Sequence, residues 1–294
     1  MHPTLRGLLA HAPILTDGAW GTQLQAQGLP TGACPDAWNL EHPELVERVA
    51  QAYVQAGSRL ILTNTFGANR FALERYGLAE KVAEINLAGV EISRRAATGA
   101  AKVFATIGPS GKMLVMGQVR RDELLSAFGE QAQAMASAGA DGIVVETMSD
   151  PVEAELAVTA AKETGLPVVG CMVFDSGPEK DRTMMGATVE QAVHALCEGG
   201  ADVVGSNCGR GIAGFVELCR RLKAASDRPV WIKGNAGLPK IEDGRTVYHQ
   251  TPEEFASYVP QLVQAGASFI GGCCGTTPEF IAATAKALGI AASG

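Results

Sequence analysis

Seven cysteines stand among 294 residues, and two of them are adjacent: Cys273 and Cys274 end the apolar run ASFIGG and precede the turn GTTP. Burial explains an isolated cysteine, which is most often a small hydrophobe, and Cys34, Cys171, Cys197 and Cys219 are read that way. Burial gives no reason for two thiols side by side at a strand end. A disulfide between adjacent residues is strained, and an odd cysteine count in a chain this long does not suggest a secreted disulfide framework. A metal uses both thiols. Together with Cys208, which ends the run ADVVGSN, they supply three thiolates that can converge on one Zn²⁺ at about 2.3 Å each and leave the fourth tetrahedral position open. Gly271, Gly272 and Gly275 relieve the backbone crowding where neighbouring residues turn toward one point.

The elements that must bring residue 208 to residues 273 and 274 are short β-branched runs, each followed by a segment of helical period. Strands are predicted at 13–17, 58–64, 102–107, 141–146, 167–173, 202–207, 229–233 and 268–273. The clearest helix is predicted over 253–265, where Phe255, Tyr258, Val259, Leu262 and Val263 share one face, and 44–56 behaves similarly. Asp150, Thr251 and Thr277 each precede a proline and an early glutamate, the pattern of a capped helix start. Eight strand and helix units with apolar strands predict a single α/β domain over 1–294, a (β/α)8 TIM barrel. An open doubly wound sheet is disfavoured because DGAWGTQLQAQG lacks the glycine spacing of a dinucleotide site.

A weak internal repeat supports closure. Gly57, Gly139, Gly200 and Gly266 each end a helix before an even-numbered strand. Seven residues on lie Asn64, Glu146, Asn207 and Cys273; eight on lie Thr65, Thr147, Cys208 and Cys274. These polar residues therefore arrive at one level, the carboxyl rim where barrels of this kind carry their chemistry.

Composition excludes several functions. The formal net charge is −7 and basic residues occur only as short doublets, so neither nucleic acid nor an anionic membrane is an expected partner. No apolar stretch reaches the roughly 18 to 20 residues that span a bilayer, and LRGLLAHAPIL is interrupted by His11 and Pro13. A cytoplasmic location is expected.

The segments TDGAWGTQL, LTNTFGAN, VVETMSD, GSNCG, GNAGLP and GGCCGTTPEF, in this order from about residue 13 to 285, resemble the homocysteine S-methyltransferase family. The resemblance is closest to the homocysteine-binding module of cobalamin-dependent methionine synthase. It implies Zn²⁺ on Cys208, Cys273 and Cys274, with Asn235 as a fourth ligand when substrate is absent. It implies an enzyme that activates homocysteine as a zinc thiolate for attack on a donor methyl group, giving methionine. A coordinated thiol gives up its proton, and three cysteine thiolates leave the centre anionic enough to keep the substrate sulfur nucleophilic. Asp17 and Glu146 are the expected partners of the substrate ammonium, while Gly18, Asn64, Thr65 and Ser206 are expected to orient the rest.

Gly275 matches the methionine-synthase branch, so the expected donor is methylcobalamin on a separate corrinoid protein, because one barrel accounts for these residues. A small free donor, S-methylmethionine or a betaine, is the alternative. A third reading, of another class, is a catalytically silent zinc-binding or redox-sensing barrel. Trp20 and Gly234 depart from the family pattern, where methionine and proline are common, and FDSGPEKDRTMMGAT after the fifth strand reads as a lid over the donor side.

Overall fold

The computed structural model describes residues 1–242 and 245–290. Its strands are β1 (Ile14–Leu15), β2 (Leu60–Ile61), β3 (Lys102–Ile107), β4 (Gly142–Met148), β5 (Val168–Met172), β6 (Val203–Gly211), β7 (Val230–Asn235), β8 (Lys240–Glu242), β9 (Arg245–Val247) and β10 (Ala267–Gly272). Eight of them form one parallel sheet in the order β1, β10, β7, β6, β5, β4, β3, β2. These eight are the strands predicted from sequence. The hairpin of β8 and β9 was not foreseen; it projects from the loop after β7.

The two ends of the sheet meet between β1 and β2. There the Arg59 N–H donates to the Leu15 carbonyl at 2.9 Å, and the Ser58 hydroxyl donates to the Thr16 carbonyl at 3.2 Å. One step higher a side chain takes over from the ladder, as the Leu62 N–H donates to the Asp17 carboxylate at 2.7 Å. The result is a (β/α)8 barrel whose seam is stitched as much by side chains as by backbone.

Strand residues alternate between two layers. Phe104, Val144, Val169, Val203, Trp231 and Phe269 fill the barrel interior, whereas their sequence neighbours Ala105, Val145, Val168, Val204, Val230 and Ile270 pack against the surrounding helices. Both faces are apolar, which is why these strands read as unbroken hydrophobic runs. The helix Pro3–Leu9 closes the lower end, its Leu5 wholly buried among the interior side chains.

Helix punctuation follows the sequence at two of three starts. The Asp150 carboxylate accepts from the Val152 N–H at 2.8 Å, and Thr251 and Glu254 form a reciprocal capping box. Thr277 does not cap its helix; its hydroxyl turns to the Glu279 carboxylate instead. The helix expected over 253–265 forms as two pieces, Pro252–Ala256 and Val259–Gln264. Pro260 has no N–H to return to the preceding turn, so the ladder cannot run through it. No helix among the described residues is long and apolar enough to cross a membrane.

Leu5→Ala empties a filled position under the barrel, and its expected cost is about 2–4 kcal/mol of unfolding free energy. Urea denaturation of the two proteins measures it; a change within error of zero means the helix does not plug the barrel.

Candidate metal centre and active site

The three sulfurs come together at the carboxyl rim. The Sγ atoms of Cys208, Cys273 and Cys274 lie within 4.8 Å of one another, and those of Cys208 and Cys274 are 3.8 Å apart. Tetrahedral zinc with bonds of 2.3 Å places its sulfurs about 3.8 Å apart, so the spacing fits an ion at their centre. Backbone geometry makes this possible. Cys208 has φ of +61°, in a region that L-residues rarely occupy, and β6 slips register against β7 between Asn207 and Gly211. Gly275, with φ of +79°, lets the chain turn beside Cys274; the Tyr248 ring lies where a Cβ would stand.

The sulfurs share charge. Hydrogen bonds from Cys273 and then Cys274 hold the Cys208 thiol well below its usual range, while the Cys273 and Cys274 thiols are pushed up. Asn235 is buried with its Nδ2 toward Cys208, and its Oδ1 has no hydrogen-bond partner. No hydrogen bond among the described residues fixes that oxygen. The donor set and the orphaned oxygen both fit a thiolate-rich metal site.

Beside the sulfurs opens a cavity of about 570 Å³ lined by Gly18, Asn64, Glu146, Lys233 and the three cysteines, among others. Glu146 shares the parity of Val144 and so faces the barrel axis. Its Oε1 accepts the Thr106 hydroxyl at 2.6 Å. Burial pushes its pKa up, against the opposing field of Lys233. Asn64 lines the cavity too, but its amide is spent on the Pro35 carbonyl and on Asn39 at 2.7 and 3.0 Å.

Asp17 does not face the cavity as expected. It is wholly buried, and its carboxylate accepts Lys233 Nζ at 2.5 Å, Trp20 Nε1 at 2.8 Å and the Leu62 N–H. Lys233 is the functional residue that the sequence reading missed. Burial opposes its charge, but Asp17 and Glu146 outweigh that and hold its pKa above the ordinary value. A lysine ending the apolar run PVWIK was a signal equal to the glutamate ending GIVVE. Trp20 now has a reason as well, since its indole N–H serves Asp17 where methionine has nothing to donate.

Thr65 and Ser206 also differ from expectation. The Thr65 hydroxyl donates to the Thr106 carbonyl at 2.8 Å and meets Thr63 at 2.6 Å, and Ser206 has the parity of Val204, toward the helices. Neither lines the cavity. The predicted lid, 174–188, is a pinned turn: the Asp175 and Ser176 N–H groups both donate to the Arg182 carbonyl, and none of its residues lines the cavity.

Fold and site together define a parallel barrel with three thiols clustered at its carboxyl rim. A family model described as homocysteine S-methyltransferase matches residues 14–288, and the chain belongs to that family. It is 30% identical over 95% of its length to a methionine synthase of Mycobacterium leprae, and 30% identical over 97% to one of Mycobacterium tuberculosis. It spans about a quarter of the length of these relatives. Among solved structures it is similar to the metallated form of the homocysteine methyltransferase MmuM from Escherichia coli, with a TM-score of 0.80, 25% identity, and coverage of 95% of this chain and 98% of that one.

Two outcomes follow from the buried charges. Lys233→Met strands the Asp17 carboxylate, with an expected loss of about 3–5 kcal/mol in unfolding free energy. Adding Asp17→Asn recovers part of it, and full additivity in the double-mutant cycle refutes the pairing. Asp36, on the cavity wall, has its carboxyl raised by burial to about 6. A raised carboxyl favours the folded state most at low pH, so its contribution is full below the ordinary value of 3.8 and is lost as pH rises through about 6. Asp36→Asn is therefore expected to gain on the wild type by about 3 kcal/mol between pH 4 and 7. Parallel stability curves for the two proteins contradict this.

Proposed function

We propose that this barrel is a zinc-dependent thiol S-methyltransferase that takes homocysteine as acceptor and gives methionine. The observation that carries the reading is the convergence of three sulfurs on the wall of a cavity that is also lined by the buried Glu146 carboxylate. Bound Zn²⁺ on Cys208, Cys273 and Cys274 supplies the positive centre that keeps a substrate sulfur in its thiolate form at neutral pH.

The chain's own residues do the rest. Glu146, oriented by Thr106, pairs with the substrate ammonium, and the backbone around Gly18 lies along the substrate. Lys233 and Trp20 occupy the Asp17 carboxylate, and Glu146, on the same cavity wall as the sulfurs, takes the amino group. Asn235 fills the fourth ligand position between turnovers. Transfer forms the sulfur–methyl bond and breaks the donor–methyl bond, the electron pair of the broken bond staying with the donor.

The donor is a methyl-corrinoid held by a polypeptide other than this barrel. Two things support that choice: the methionine synthases among the relatives, and the exposed apolar side chains Phe66 and Tyr76 on the cavity wall. Cytoplasmic location is part of the same reading, since free thiols serve a metal best where disulfides do not form.

The reduced protein is expected to carry one zinc, and serine at 208, 273 or 274 to lower methyl transfer more than about 100-fold, beyond the usual cost of losing an outer-shell partner. X-ray absorption is expected to show a fourth sulfur when homocysteine is added. Unchanged coordination overturns methyl transfer and favours the silent thiol barrel. Turnover with S-methylmethionine or a betaine, and no corrinoid protein present, overturns the donor assignment alone.

A further inference from the structure

We infer that Asn207 is a positioning residue that fixes the span between Cys208 and Glu146, and that through this span the cavity selects aminothiols by chain length. The inference rests on the reading of the cavity given above.

Asn207 is wholly buried and does not line the cavity. Its Oδ1 accepts the Thr147 N–H at 2.8 Å, and its Nδ2 donates to the Thr147 hydroxyl at 2.7 Å. The same Nδ2 lies 3.7 Å from Cys273 Sγ. Each end of this clasp adjoins a residue of the site, for Asn207 precedes the metal ligand Cys208 and Thr147 follows the ammonium partner Glu146.

Ladder hydrogen bonds do not fix these two places. Strand β4 loses register with β5 between Val145 and Met148, and β6 loses register with β7 between Asn207 and Gly211. Thr147 and Cys208 both take left-handed backbone, with φ of +62° and +61°, a strained conformation that persists only where its surroundings over-determine it. Moreover β4 and β6 are not neighbours, because β5 lies between them. The Asn207 amide reaches over the end of β5 and joins the two irregular turns by two hydrogen bonds. Among the described residues, no other side chain hydrogen-bonds residues 146–147 to residues 207–208.

A substrate held at both ends measures that span. In homocysteine the sulfur and the amino nitrogen are four bonds apart; in cysteine they are three. One methylene is worth about 10- to 200-fold in discrimination, and only if the two anchors cannot move toward each other. Cys208 carries one anchor and Glu146 the other, both on the wall of the one cavity. The amide clasp is what keeps them apart by a fixed amount.

The test uses the Co²⁺-substituted protein, whose thiolate absorption reports binding of homocysteine and of cysteine without turnover. The wild type is expected to bind homocysteine about 10- to 200-fold more tightly than cysteine. In Asn207→Ala that ratio falls at least about tenfold while one metal per chain is retained, because the gap is no longer held. Thr147→Val removes one of the two hydrogen bonds, keeps the backbone one, and gives a smaller fall in the same direction; it carries the test if the alanine variant does not fold. An unchanged ratio in the variants overturns the inference, and so does loss of metal from Thr147→Val, which would make the clasp a support of the sulfur cluster. A wild-type spectrum that ignores both thiols overturns the reading of the cavity as well, and so is distinct from a failure of the ruler alone.

Discussion

A buried ion pair at the seam is the constraint on which the site depends. The barrel closes where β1 meets β2, yet at the top of that junction the backbone ladder has ended. The Asp17 carboxylate replaces it, holding the Leu62 N–H just past the second strand, the Trp20 indole and the Lys233 ammonium of the seventh. An unpaired carboxylate at such depth is very costly, so Lys233 is obligatory once Asp17 does this work. Lys233 in turn projects beside Glu146 and Cys273, and the floor of the cavity therefore inherits its charge pattern from the way the sheet is closed.

Above that floor the regular sheet gives way to irregular strand ends. Below the rim, β4 and β6 are plain parallel strands whose side chains alternate between two apolar layers. At the rim each inserts a left-handed residue and breaks register, and in the sixth strand that residue is Cys208 itself. Bulges next to active sites generally re-aim a side chain. Here they also set Cys208 across from Cys273 and Cys274, which a regular strand pair separated by β7 would not bring to 3.8 Å.

Much of this was legible in the sequence because parallel strands buried on both faces announce themselves as apolar runs, and because glycines ended the helices at a constant distance from the rim. The three cysteines could be found from position alone: neither burial nor a disulfide accounts for a vicinal pair. What could not be read was pairing across the barrel. Asp17 and Lys233 are far apart in the chain, and nothing local to TDGAW says that its carboxylate is already taken. Thr65 and Ser206 were misplaced for a different reason. Counting from Gly57 finds the level of Thr65 but not its face, and a polar residue near a strand end, as Ser206 is, does not declare its face either, since a single step along a strand turns a residue from the axis to the helices.

The plug at the lower end has a consequence for access. With Leu5 wholly buried against a filled interior, the described core beneath the three sulfurs is packed solid. A molecule that meets those sulfurs therefore arrives over the strand ends and not through the middle of the barrel.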